Sequence, residues 1–178
     1  MQHPREYHGR RVCTLMDKIA RRNRYFETGE VLVEKLKACK YSVILDLGCG
    51  ENLYSDIEGM IGVDIDSPYA DIHANINRLP FEDGTVDCII AFGSLIYGDR
   101  DEHLGMDGNL LLHDQLKEIS RVLRSGGLVY GRTRYLDILS EITIDKYEQE
   151  YGFKRMSART ILHVKSGEKR LYWEWVKY

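Results

Sequence analysis

The stretch from Val43 to Asp66, VILDLGCGENLYSDIEGMIGVDID, constrains the fold of this chain more than any other. Branched apolar residues, Val43, Ile44 and Leu45, run into Asp46-Leu47-Gly48-Cys49-Gly50, and a second apolar run, Met60 to Val63, ends in Asp64, 18 positions after Asp46. The pattern reads as strand, glycine turn, short helix, strand, acid. Gly48 and Gly50 carry no Cβ and tolerate positive φ, so the backbone can bend sharply beneath a ligand resting on it. An open parallel sheet puts such a turn at the carboxyl end of its first strand, where ligands bind at the topological switch point. Asp64, closing the second strand, is then placed to accept hydrogen bonds from two ribose hydroxyls.

What the stretch lacks narrows the nucleoside. The dinucleotide fingerprint G-x-G-x-x-G needs a third glycine for close helix packing, and counted from Gly48 that position is Leu53. No G-x-x-x-x-G-K-[ST] phosphate loop occurs in the chain. A carboxylate at the turn, Asp46, repels a pyrophosphate and suits a cofactor with cationic groups and no phosphate. S-adenosylmethionine, with its ammonium and sulfonium, meets that description.

Four blocks in order, DLGCG, GVDID, NINRLPFEDGTVDCIIAFGSL and EISRVLRSGGLVYGR, resemble the class I S-adenosylmethionine-dependent methyltransferase family, in particular its small single-domain members. The resemblance runs from about Tyr41 to the C-terminus. It implies an α/β fold: a Rossmann-like, doubly wound seven-stranded sheet, mostly parallel, with an antiparallel C-terminal hairpin strand. It also implies that Asp46, Gly48 and Gly50 cradle the methionine moiety, that Asp64 holds the ribose, and that Asn75 and Ile76 lie at the adenine. Cys49, Ile65, Phe92 and Gly93 complete the expected cofactor-binding set. Where the family usually carries an acid facing the adenine amino group this chain has Asn75, whose amide oxygen can accept the same hydrogen bond. A third glycine of the first motif is replaced by Asn52, and the N-P-P-Y of many amino-directed nucleic-acid methyltransferases is replaced by AFGS. No catalytic residue is assigned, and no metal-ligand pattern is found.

The rest of the chain reads as one domain, residues 1–178, whose first 40 residues are helical. Val12, Leu15, Met16 and Ile19 form one apolar stripe, and Val31, Leu32, Leu36 and Ala38 lie on a second helical segment. Between them Tyr25 and Phe26 are either part of a lid over the cofactor or aromatics packed on the core beside a solvated basic helix end. A crossover helix of about two turns is expected over Asn52 to Gly59. Strands are expected at Asp71–Ala74, Val86–Phe92 and Leu128–Thr133, and helices over Leu112 to Leu123, closed by Arg124-Ser125-Gly126-Gly127, and over Ile138 to Tyr151, capped by Gly152. Arg159–Val164 and Arg170–Val176 form a hairpin, with Leu171, Trp173 and Trp175 on one face. The loop from Gly93 to Asn109 follows the fourth strand and is either where an acceptor would sit or a flexible insertion without function; it holds Ser94, Tyr97, Asp99, Arg100, Asp101, Glu102, His103 and Asp107. His103 and His113 are candidate bases or ordinary surface residues.

Charge is unevenly spread: residues 1–40 carry 10 basic and 5 acidic side chains, residues 41–120 carry 3 and 16, and residues 121–178 carry 12 and 7. An acidic middle either disfavours a phosphate backbone over the cofactor strands or only reflects acids clustered at strand ends and turns; a small molecule or a protein side chain is the expected acceptor, with nucleic acid disfavoured but kept open by the basic ends. Cys13, Cys39, Cys49 and Cys88 lack C-x-x-C spacing, which indicates neither zinc nor a disulfide framework; Cys39 and Cys88 are expected in the core. No apolar run approaches the ~20 residues of a membrane span, and cytoplasmic residence is the default. The function expected is methyl transfer from S-adenosylmethionine. Two alternatives stand beside it: a catalytically degenerate cofactor-binding partner or regulatory module, and a nicotinamide-dependent oxidoreductase, which Leu53 and the hairpin argue against.

Overall fold

The computed structural model describes residues 14–95, 108–133 and 141–178. Within them lie seven strands, β1 Ile44–Leu47, β2 Met60–Asp64, β3 Ile72–His73, β4 Val86–Phe92, β5 Leu123–Thr133, β6 Phe153–Leu162 and β7 Lys169–Lys177. They form one sheet in the order β3-β2-β1-β4-β5-β7-β6. β3, β2, β1, β4 and β5 run parallel, and β7 pairs antiparallel with both β5 and β6. The order reverses between β1 and β4, which opens the crevice expected at the carboxyl ends of these strands.

Four helices are described: α1 Leu15–Arg22, α2 Glu30–Cys39, α3 Gly108–Val122 and α4 Glu141–Tyr151. The central strands β1 and β4 are buried on both faces, so they read as near-continuous apolar runs. Leu45, Leu47, Ile89, Ala91, Val129, Trp173 and Trp175 face a core completed by Leu112, Leu116 and Ile119 of α3 and by Tyr147 and Tyr151 of α4. Ile44, Cys88, Ile90, Tyr130 and Tyr172 face the other core, completed by Leu32, Val33 and Leu36 of α2 and by Tyr25, Tyr54 and Ile57. Burial of Trp173 and Trp175 agrees with the alternation seen in the last strand.

Several local expectations are corrected. The crossover over 52–59 is not a helix but a chain of tight turns, with bonds from Asn52 N to Cys49 O (2.9 Å), Ser55 N to Asn52 O (3.3 Å) and Ile57 N to Tyr54 O (3.0 Å). Each of these bonds spans three residues rather than four, so no α-helical turn closes. β5 starts at Leu123 rather than Leu128, because Leu123 already pairs with Val86. β6 starts at Phe153, six residues before the expected strand, since the whole edge pairs with β7. β3 is shorter than expected. Leu15 and Met16 are exposed, at 55% and 73%, and α1 instead buries Arg22. Cys39 is exposed at the end of α2, whereas Cys88 is buried as expected. Val12, Cys13, residues 138–140 and most of the 93–109 loop lie outside the described residues.

Gly131 of β5 shows how tightly the centre is packed. A Cβ there would fall on the indole of Trp173, its neighbour across the β5–β7 ladder. Gly131→Ala is expected to destabilise the fold by about 2 kcal/mol through overpacking, read as a lower urea midpoint at unchanged slope.

Candidate functional site

The site is built where β1 and β2 end. Gly48 N and Cys49 N both donate to Val63 O, at 2.7 and 3.1 Å, which turns the chain away from β1 at once. Gly48 and Gly50 take φ of 65° and 53°, the left-handed region predicted from the sequence. A Cβ at Gly48 would strike Ser94, whereas one at Gly50 or Gly93 would meet nothing within 4 Å. The turn is thus closed on the side of Ser94 and open at Gly50. Asn52, in the place of a third glycine, has φ 50°, a conformation asparagine tolerates well. Its Nδ2 donates to Tyr69 O (2.9 Å) and Asp71 Oδ2 (3.2 Å), and the amide fills the space that Gly62 leaves by lacking a side chain.

Asp64 points back at this turn. Its Oδ2 accepts from Gly50 N (3.0 Å), and its Oδ1 accepts from Asp66 N and Ser67 N, both at 3.2 Å. Of roughly four lone-pair positions on a carboxylate, three are thereby taken, and one is left on Oδ2. Ser67, fully buried, donates its hydroxyl to Gly50 O and ties the two strand ends together.

Asp46 lies between Gly62 of β2 and Ile90 of β4 and is 5% exposed. Burial raises its pKa from 3.8 to about 7; the Arg132 guanidinium pulls it back and Asp64 adds to the rise. Among the described residues no side chain forms an ion pair with it. Burial, followed by the neighbouring Asp46, Asp64 and Asp71, also pushes the Cys49 thiol up to about 12, away from the thiolate that a nucleophile needs.

The adenine end is looser. Asn75 Oδ1 accepts from Asn77 N at 3.0 Å, closing an Asx turn, which leaves one lone pair for a ligand. Ile76 packs partly buried against the core, and Ile65 is 62% exposed. Phe92 and Gly93 stand at the end of β4, where Gly93 N donates to Arg132 O at 2.7 Å. The structure therefore gathers Asp46, Gly48, Cys49, Gly50 and Asp64 around one turn, with Asn75 and Ile76 after β3 and Phe92 and Gly93 after β4.

Two features went unread in the sequence. The basic end of α1 itself is not solvated, although Arg24 just beyond it is exposed. Arg22, 3% exposed, bonds both carboxylate oxygens of Asp56 (2.7 and 3.3 Å), while Arg21 pairs with Glu51 and Lys18 with Ser55. α1 is thus fastened to the turns that follow the glycine motif. Tyr25 packs on the core, whereas Phe26 is 68% exposed, so the two aromatics are not both packed there. The second is Arg132. Register places Asp46, Phe92 and Arg132 on one face of the sheet. The guanidinium lies 4.4 Å from the Tyr25 ring centroid and 4.9 Å from that of Phe92, and Nη1 donates to Thr28 Oγ1 at 2.8 Å. A cation inside the apolar run LVYGRT was the available signal. A cavity of about 360 Å³ on the far flank, lined by residues such as Glu148, Phe153 and Arg155, is a poorer candidate, because Arg155 is already bonded to Glu148 (2.8 Å) and Asp145.

Among the described residues there is no cluster of histidine, cysteine and acidic side chains able to hold a metal ion, and no helix is long and apolar enough to cross a membrane. His113, 2.9 Å from Glu150, sits on the α3–α4 surface; Tyr97, Asp99, Arg100, Asp101, Glu102, His103 and Asp107 lie outside the described residues.

A family model described as hypothetical methyltransferase matches residues 27–161. No curated protein matches the sequence. The fold is shared with a solved protein from Pyrococcus horikoshii OT3 (TM-score 0.63, 17% identity, covering 94% of this chain and 93% of that one). It is also shared with the Burkholderia thailandensis 1,6-didemethyltoxoflavin N1-methyltransferase, solved with 1,6-didemethyltoxoflavin and S-adenosylhomocysteine (TM-score 0.61, 16% identity, 99% and 91% covered). A third neighbour comes from the complex of the Haloferax volcanii Trm112 methyltransferase activator with a methyltransferase (TM-score 0.55, 17% identity, 91% and 92% covered). Likeness at this level of identity establishes the fold.

Proposed function

This chain belongs to the hypothetical methyltransferase family, and on that premise we propose that it binds S-adenosylmethionine over the carboxyl ends of β1, β2 and β4 and transfers its methyl group to a small molecule or a protein side chain. The observation that carries the reading is the pairing of a buried, weakly satisfied carboxylate, Asp46, with a two-glycine turn open at Gly50. Asp46 would meet the cofactor's ammonium, Asp64 one ribose hydroxyl through its remaining lone pair, and Asn75 the adenine amino group. Bound there, the cofactor supplies a methyl group on a sulfonium that needs no further activation. The protein's part is to align the acceptor and exclude water, worth several orders of magnitude in rate. Arg22, Tyr25 and Thr28 serve the exclusion, since they fasten the N-terminal segment over this end of the sheet. A base is required only where the acceptor must lose its proton early.

The test is calorimetric titration with S-adenosylhomocysteine and with NAD, followed by turnover on an acceptor panel. Heat and thermal protection from S-adenosylhomocysteine alone, with methyl transfer to one acceptor class, is the expected result. Binding without turnover on any acceptor would favour the partner or regulatory module. That second reading draws support from the neighbour solved with an activator protein and predicts that turnover appears only when a protein partner is added.

A further inference from the structure

We infer that Arg132 is a specificity-determining residue whose guanidinium, clamped between Tyr25 and Phe92, receives an oxyanion of the methyl acceptor, a carboxylate or a phosphate. The inference rests on the proposed cofactor site and names the acceptor chemistry it implies. Arg132 stands at the carboxyl end of β5, on the sheet face that carries Asp46 and Phe92 and that the N-terminal segment covers. Its stem is fixed by the ladder to Phe92 and Tyr172, its plane by the two rings, and Nη1 by the Thr28 hydroxyl. A guanidinium stays protonated in a protein and offers five N–H donors in a rigid fork that matches a carboxylate or phosphate. So much positioning around a fork is more than a structural cation needs.

The charge balance says what the fork faces. Burial lowers the pKa of Arg132, so its surroundings disfavour the uncompensated cation. The second arginine at Tyr25, Arg170, is neutralised by Glu168 at 2.5 Å. Among the described residues Arg132 has no carboxylate within ion-pair distance; Asp46 reaches it only through space. Once Asp46 is engaged by the cofactor's ammonium, the half-buried guanidinium would keep its charge on the sheet face that also receives a cationic cofactor, with no carboxylate among the described residues left to offset it. An acceptor bearing an oxyanion offsets that charge and is held in register by the fork. A neutral or cationic acceptor leaves it standing.

The experiment uses the full chain saturated with S-adenosylhomocysteine, with sodium benzoate, inorganic phosphate and the neutral isostere benzamide as probes of thermal stability. Benzoate or phosphate is expected to raise Tm in a saturable way and benzamide is not; which of the two anions acts separates a carboxylate from a phosphate acceptor. Arg132→Gln should weaken the effective anion at least tenfold while S-adenosylhomocysteine still gives heat, and Arg132→Lys should weaken it about fivefold by losing the fork. A merely structural arginine would lower Tm without changing the response to anions. No response to either anion in the wild type, or an unchanged response in Arg132→Gln, overturns the inference, and if Arg132→Gln does not fold, an unchanged response in Arg132→Lys does so. Failure of S-adenosylhomocysteine to bind the wild type would instead overturn the cofactor site itself.

Discussion

Asp46→Asn is expected to make the protein more stable and worse at binding its cofactor. Burial holds this carboxyl near 7 in the folded state, against 3.8 for a solvated aspartate. The folded chain therefore binds that proton more tightly than the unfolded chain. The contribution to stability is fully present below about pH 4 and is lost as pH rises through about 7. At ~1.4 kcal/mol per tenfold difference in proton affinity, the ionised carboxylate costs the fold about 4 kcal/mol at neutral pH and above. Asparagine keeps the shape and removes the charge. Its advantage over wild type should grow from near zero at pH 4 to about 4 kcal/mol at pH 8, or roughly 10 °C in Tm for a chain of this size. Urea denaturation of both proteins across that range is the check. Asp87 and Glu118, whose pKa values are lowered in the fold, act in the opposite direction, but they are present in both proteins and cancel in the difference. A difference independent of pH would mean that Asp46 is ionised at no cost, and the electrostatic description of the site would be wrong. The same variant should bind S-adenosylhomocysteine at least tenfold more weakly, the trade expected where a strained charge is kept for function.

What could be read from the sequence followed from short-range rules. The glycine turn, Asp64 at the end of β2, all of β4 and the Gly152 cap, at φ 71°, are each fixed by a few adjacent residues whose backbone preferences and apolar alternation agree. Such local agreement between pattern and fold is what makes a segment predictable. The errors fall where distant partners decide. β5 begins five residues early because Val86 recruits Leu123, and nothing within RSGG announces it. α1 turns Leu15 and Met16 outward because Arg22 finds Asp56, 34 positions away. Arg132 escaped notice for the same reason: an arginine in an apolar strand becomes informative only when Tyr25, Thr28 and Phe92, from two other elements, close around it. Asn52 is a further case. In the sequence it is only a missing third glycine, yet it keeps a left-handed φ of 50° and binds Tyr69 and Asp71, contacts no local pattern announces.

Gly50→Ala separates the cofactor's space from the strain of the turn. At φ 53° an alanine is held in the left-handed region, which costs about 1–2 kcal/mol. No protein atom lies within 4 Å of the added Cβ, so no clash adds to that cost. Gly167, in the β6–β7 turn, supplies the control: its φ is 68° and its Cβ position is equally open, but it lies outside the proposed site. The two alanine variants should lose similar stability in urea. They should differ in ligand affinity, because at Gly50 the methyl enters volume that the methionine moiety needs, and overpacking of 1–3 kcal/mol corresponds to a loss of about 5- to 150-fold. Calorimetry with S-adenosylhomocysteine should show that loss for Gly50→Ala and wild-type affinity for Gly167→Ala. Equal affinity in both variants would show that the open face of the glycine turn holds no ligand, however well Asp46 and Asp64 are placed to receive one.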